Sequence, residues 1–221
     1  MKSFFCSWSG GKDCCFSLYK AMQQGGKPSF LFTMCTESGG RTRSHGLSTA
    51  IVLAQAKALG IPIAFQNSSW NEYRKNFIKG VKNGIKQSGV SGLEFGVFGD
   101  MDIEANRLWE EEVSKDIGVK SWLPLWGINR KAMIEGFLGA GFVAQIVSVD
   151  SKRLNKEYLG MNLSLKLIEE FKQKDIDICG ENGEYHSVVV DGPIFSKRLM
   201  IEQGDSLLRS DYWFQDFKLL D

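Results

Sequence analysis

Histidine is scarce in this chain, and cysteine occurs in no pattern that a structural metal site uses. His45 and His186 are the only histidines among 221 residues, too few for an imidazole-rich transition-metal centre. Cys6, Cys14, Cys15, Cys35 and Cys179 make an odd number with no Cys-x-x-Cys pair. That argues against a disulfide framework and against a zinc knuckle. An excess of either charge is also lacking: 27 Lys+Arg against 26 Asp+Glu leave +1, which gives no general attraction for nucleic acid or anionic lipid. No apolar run approaches the ~20 residues of a membrane span, and Met1-Lys-Ser leads straight into an apolar run without a signal-peptide pattern. We therefore expect a soluble, cytoplasmic protein with no membrane partner and with nucleic acid disfavoured.

What is present is a core. Hydrophobic residues make up 43% of the chain, enough for one large core or for a domain with a smaller appendage. Residues 3–8 form an apolar run ending in Ser-Gly-Gly, as a buried strand would. A helix follows from Asp13, with Cys15, Leu18, Tyr19 and Met22 on one face before Gly25-Gly26. The same alternation predicts strands over 28–34, 61–65 and 96–99, and helices over 47–58, 70–87 and 103–117. Single helices between strands imply right-handed crossovers and an α/β fold, a mostly parallel sheet with helices on both faces. Beyond 124–127 the pattern changes to helices at 132–138 and 163–171, with strand-like runs at 142–149, 187–190, 195–201 and 212–219. This reads as a smaller α+β domain, 124–221, after a parallel domain, 1–123.

The first strand–loop–helix corner, Ser9-Gly-Gly-Lys-Asp13, is neither a Walker A loop nor a Rossmann fingerprint. The glycine spacing fails for both, and Asp13 stands where Walker A needs a hydroxyl. The geometry still suits an anion, because glycines let amides approach it and the helix N-terminus favours negative charge. Lys12 adds a point charge and Ser9 a hydroxyl. Asp13 belongs at the helix cap or beside a magnesium ion carried with a nucleotide.

Ser9-Gly-Gly-Lys-Asp13 resembles the pyrophosphate-binding loop of the N-type ATP pyrophosphatases, which cleave ATP between the α and β phosphates. That loop usually ends Asp-Ser, and Cys14 holds the place of the serine. Gly180-Glu-Asn-Gly-Glu-Tyr-His-Ser, followed by Asp191-Gly-Pro and Phe195, resembles the signature of diphthine–ammonia ligases. Gly99-Asp-Met-Asp102, Asn106-Arg107, Leu123-Pro-Leu-Trp-Gly127 and Leu159-Gly160 resemble that family's other landmarks. Asn182 replaces a glycine, and His186-Ser187 stand where ligases acting on diphthine usually carry Glu-Thr.

The resemblance spans nearly the whole chain and implies an adenine nucleotide alpha hydrolase-like domain, with a substrate cleft against the smaller domain. It implies ATP and Mg²⁺ as cofactors, with Ser9, Gly10, Gly11, Lys12, Asp13, Cys14 and Gly99 at ATP and the backbone of Thr33 and Met34 at adenine. Lys12, Asp13, Glu181 and Glu184 are the catalytic candidates. Asn182, Gly183, Tyr185, His186, Arg107 and Trp126 are the substrate-binding candidates. The implied reaction is adenylation of a carboxylate followed by amidation with free ammonia, with diphthine on elongation factor 2 as acceptor. A homodimer is left open.

Several roles have two readings. Glu181 and Glu184 could bind magnesium, take protons from ammonia or grip a cationic substrate; otherwise they form a solvated turn. Arg41, Arg43 and His45 could clamp phosphate or a carboxylate, or belong to a mobile basic loop. Asp100 faces magnesium or caps a helix. Glu110-Glu-Glu112 reads as a solvated helix face, and Cys14 as a packing or phosphate contact rather than a catalytic thiol. Another acceptor for the same activation, or a sensor that binds ATP without turnover, would also fit the loop.

Overall fold

The computed structural model describes residues 2–220. Its first half is a five-stranded parallel sheet in the order β3-β2-β1-β4-β5. The strands are β1 (Lys2–Ser7), β2 (Gly26–Cys35), β3 (Ile63–Asn67), β4 (Phe95–Val97) and β5 (Lys120–Trp122). The connecting helices are α1 (Lys12–Gln23), α2 (Thr49–Leu59), α3 (Tyr73–Ser88) and α4 (Glu104–Ile117). β1 and β2 are apolar along most of their length because helices cover both faces of the sheet. Phe5, Phe30 and Phe32 pack with Phe77 of α3 on one face. Phe4, Cys6 and Leu31 join α1 and α2 on the other.

The second half comprises α5 (Arg130–Gly139), β6 (Val143–Asp150), a single 3₁₀ turn (Lys156–Tyr158), α6 (Leu165–Gln173), β7 (Tyr185–Asp191), β8 (Ile201–Arg209) and β9 (Tyr212–Leu219). Its four strands form an antiparallel sheet in the order β7-β6-β9-β8. One apolar cluster runs through both halves: Phe16 of α1 meets Phe137 and Phe142 edge-on at 6.0 and 6.1 Å.

One expectation fails and two strands escape the sequence reading. Residues 195–200 form no strand; they run irregularly with a bend at 196–197, and the Leu199 amide donates to the Val190 carbonyl. β5 and β8 carry no signal that the sequence reading could use. β5 is three residues long, and β8 is mostly exposed and polar, held by pairing with β9.

The strand order positions the site. The chain builds outward from β1 to β3 and then returns to β4, so the order reverses between β1 and β4. In open α/β sheets the ligand crevice lies at the carboxyl ends of the strands flanking such a reversal. Those ends here are the Ser9–Gly11 loop and Gly99-Asp100.

Candidate active site

The loop after β1 is held in place before any ligand arrives. Gly10 sits at φ +86°, where a side chain would be strained, and a Cβ there would lie 2.8 Å from Gln55 Oε1. Its carbonyl accepts from the Val189 amide of β7 and from Gln55 Nε2, both at 2.9 Å. Gln55 also donates to the Val189 carbonyl at 2.7 Å and accepts from Trp8 Nε1 at 3.0 Å. This buried glutamine fixes the loop through three hydrogen bonds. Its only sequence signal is a polar residue on the α2 face shared with Ile51, Val52 and Ala58.

Lys12 opens α1 and is 3% exposed. Burial alone would depress its ammonium, but Asp13, Tyr185 and Glu181 outweigh that and hold it above the ordinary lysine value. Lys12 Nζ meets Asp13 Oδ2 at 2.9 Å and lies 5.4 Å from the Tyr185 ring centroid. Burial raises Asp13 against the pull of Lys12, and Asp100 pushes it the same way. Burial and then Asp13 push Glu181 up to about 8. Three carboxyls thus compete around one lysine, more than it can neutralise: Asp13 and Glu181 act on Lys12 directly, and Asp100 acts on both of them.

That excess, with a buried Asp13 Oδ1 that has no hydrogen-bond partner, fits a magnesium ion. Among the described residues no group of three or more His, Cys, Asp or Glu side chains is placed to hold a metal. An ion here would need phosphate oxygens as further ligands. Asp100 is otherwise engaged: its Oδ1 accepts from Asn106 Nδ2 at 2.6 Å, and it acts on the Glu110 carboxyl. It caps no helix, since Ile103 holds the N-cap position of α4.

Cys14 is buried, and burial raises its thiol. It donates to the Gly11 carbonyl at 3.2 Å and accepts from Ser9 Oγ at 3.3 Å. The thiol therefore does inside the loop what a hydroxyl would do there, and it is no thiolate.

The second wall is the segment before β7. Asp177 organises it, accepting from the Cys179 amide at 3.1 Å and the Glu181 amide at 2.8 Å. Arg130 Nη1 holds Asp177 at 2.6 Å while its other nitrogens hold Asp102 at 2.8 and 3.0 Å. One arginine thus ties the β4–α4 connection to the Glu181 segment. Neither Arg130 nor Asp177 has a sequence signal, because their pairing spans 47 residues.

The two glutamates part company here. Glu181 faces Lys12 and Asp13. Glu184 is 3% exposed and turns inward, where Oε1 accepts from the Asp177 amide and Asn182 Nδ2. Gly183 closes that turn at φ +85°. Tyr185 is 1% exposed, its hydroxyl donates to the Ile178 carbonyl, and its ring lies against Lys12. His186 packs against His45 with ring centroids 4.6 Å apart. A Cβ on Gly11 would lie 2.5 Å from His45 Nε2, so this imidazole roofs the loop. Burial, and then Lys12, bring His186 down to about 4; burial, then His186, hold His45 well below its usual value.

The remaining candidates divide. Thr33 is a core residue whose hydroxyl donates to the Trp8 carbonyl. Met34 lines a cavity of about 70 Å³ beside the loop, with Ser7, Ser9, Arg43 and Tyr73. Gly99 lets β4 press against α1, since a Cβ there would come within 2.9 Å of the Asp13 and Cys14 backbone. The basic loop is tied down: Arg41 reaches the Gly46 carbonyl and Asp216, and Arg43 pairs with Glu37 and stacks over Trp70 at 4.6 Å. Arg107 pairs with Glu104 and stacks over Trp126 at 5.0 Å, so those two answer one another. Glu110, expected in solvent, is 3% exposed and faces a cavity of about 470 Å³ lined by Asp100 and Trp109. No helix among the described residues is long and apolar enough to cross a membrane.

Comparison with known proteins gives a consistent picture. Residues 1–121 match the family model described as the diphthamide synthase N-terminal domain, and residues 129–220 match the diphthamide synthase C-terminal domain. A diphthine–ammonia ligase from Danio rerio is 24% identical over 235 residues, covering 92% of this chain and 88% of its own. That from Schizosaccharomyces pombe is 25% identical over 211 residues, covering 87% of this chain but 35% of its own. The Homo sapiens ligase is 27% identical over 108 residues, 47% of this chain and 40% of its own. A crystal structure described as a predicted subunit of tRNA methyltransferase from Methanocaldococcus jannaschii covers 87% of this chain and 98% of its own, with TM-score 0.44 and 14% identity. With both domain models matched, this chain belongs to the diphthamide synthase family.

Proposed function

We propose that the protein is an ATP-dependent amide ligase that adenylates a substrate carboxylate, releases pyrophosphate and amidates the carboxylate with ammonia. The observation that carries this reading is the meeting of two distant segments. Ser187 Oγ accepts the Lys12 amide hydrogen at 3.2 Å, which seats the Glu181–Ser187 segment on the phosphate loop. ATP lies with its phosphates over Ser9–Asp13. Lys12 stabilises the charge that builds on the departing pyrophosphate. Asp13 would hold a magnesium ion brought with the nucleotide, which would supply positive charge to the phosphates. Glu181, pushed up to about 8, is matched to take the proton that ammonia sheds as it attacks. Glu184 and Asn182 hold the segment that presents it.

Diphthine on elongation factor 2 is the proposed acceptor, since the relatives named above are diphthine–ammonia ligases. His186, neutral and packed on His45, stands at the signature position where a glutamate is usual, which favours a second reading with a different small carboxylate as acceptor. Incubation with magnesium-ATP and ammonium, with and without diphthine-modified elongation factor 2, tests the choice. Amide on the factor supports the first acceptor; AMP formation indifferent to the factor removes it and leaves the chemistry standing.

A further inference from the structure

The cavity of about 470 Å³ beside the phosphate loop has no part in the adenylation just described. Ser7, Tyr73, Asp100, Asn106, Trp109 and Glu110 line it. Glu110 comes from α4 and is 3% exposed, and its Oε2 has no hydrogen-bond partner among the described residues. Burial, and then Asp100, push Glu110 up to about 11. The remaining wall is aromatic: Trp109 lies 5.8 Å from Tyr73 and 5.2 Å, edge-on, from Phe77. Burial pushes the Tyr73 phenol up to about 12, so it carries no charge. Arg43, outside the lining, pairs with Glu37 and stacks on Trp70. By itself the corner holds one negative charge over the Asp100–Glu110 pair, because Glu110 keeps its proton, and an oxygen, Glu110 Oε2, that no described group answers.

Asn106 serves Asp100, so what is missing is a donor at Glu110 Oε2 and a positive charge for the pair. A metal ion brings charge alone, and no group of three ligating side chains is placed for one among the described residues. A quaternary ammonium brings charge without a donor. The ammonium ion brings both, and aromatic faces attract such a cation.

We propose that Asp100, Glu110 and the adjoining aromatic faces form an ammonium-binding site that holds the nitrogen donor beside the phosphate loop. Asp100 follows Gly99, whose backbone presses on Asp13 and Cys14, so a captured ion lies next to the reacting phosphates. The purpose of the site rests on the ligase reading, whereas the binding itself does not.

The test titrates the ATP-free full-length protein with ammonium chloride and follows tryptophan emission. Potassium chloride and tetramethylammonium chloride at matched ionic strength serve as cations without N–H donors. A saturable change is expected with ammonium only, lost in Glu110→Gln and in Trp109→Leu, with circular dichroism confirming that both variants fold. An equal response to potassium, or an ammonium response that survives Glu110→Gln, would overturn the site. In turnover, Glu110→Gln should raise the KM for ammonium about tenfold and leave the KM for hydroxylamine, which is uncharged near neutral pH and gains little from a carboxylate, nearly unchanged. Equal rises for both nucleophiles contradict the proposal. If neither nucleophile yields amide, the ligase reading fails, and the emission titration still decides the site.

Discussion

The Lys12 backbone amide donates to Ser187 Oγ at 3.2 Å across 175 residues of sequence. The hydroxyl hydrogen of Ser187 stays free for a phosphate oxygen, and the Val189 amide beside it holds Gly10. We predict that Ser187→Ala weakens ATP binding about fivefold, the worth of one hydrogen bond of ~1 kcal/mol. The variant also leaves the buried Lys12 amide without its acceptor, so its thermal midpoint should fall by several degrees. Nucleotide titration by calorimetry checks this, and unchanged affinity would place the serine outside the phosphate contacts.

Arg130 is the tie between two walls of the site, and Asp177 beneath it is 6% exposed at its side chain. Arg130→Ala leaves that carboxylate buried without its cation, which costs about 2–4 kcal/mol. It also frees the segment that presents Glu181. The expected result is a lower midpoint in urea together with faster hydrogen exchange at the Glu181 amide, which Asp177 holds at 2.8 Å. Exchange confined to α5 would show that the arginine serves its own helix alone.

Stability should depend on pH from both sides. Glu110 lies above its ordinary value of 4.5 in the folded state, at about 11. Its contribution is therefore full below 4.5 and is lost as pH rises toward the folded value. Glu110→Gln removes that loss, so the variant should melt several degrees above the parent at about pH 8, with the gap closing near pH 5. A constant gap across that range would mean that the carboxyl is ionised in the folded protein.

The histidine pair has the opposite sign. His186 falls from 6.5 to about 4 on folding, and His45 shifts the same way. Their contribution is present above about 6.5 and is lost as pH falls through the folded values. His186→Asn should flatten the urea midpoint between pH 6.5 and 4, and an unchanged acid slope would contradict the burial of a neutral imidazole there.

Cys14 and Ser9 share the loop's internal bonds. Cys14→Ser should keep turnover within about threefold, because a hydroxyl makes the same two contacts. Thiol reagents should react slowly with the parent, as burial raises the thiol. Rapid loss of activity on alkylation of Cys14 would show a thiolate that the geometry does not support.

Much of the parallel half was legible, because buried strands and amphipathic helices alternate with periods that side chains reveal directly. The loop at Ser9–Asp13 was legible for the same reason, as glycines mark a turn between a strand and a helix. What stayed hidden depends on partners far away in sequence. Glu110 reads as one of three surface glutamates until Asp100 and Trp109 enclose it. Glu184 and Tyr185 give no sign of burial until the Asp177 turn draws one inward and Lys12 lies against the other. β8 has no strand pattern of its own and exists through its ladder with β9.

The most direct test of the account is the bond that the protein breaks in ATP. Phosphorus NMR of magnesium-ATP turned over with ammonium and a competent acceptor should show AMP and pyrophosphate in equal amounts, and neither with Lys12→Ala. ADP and orthophosphate as products, or undiminished turnover in Lys12→Ala, would contradict it.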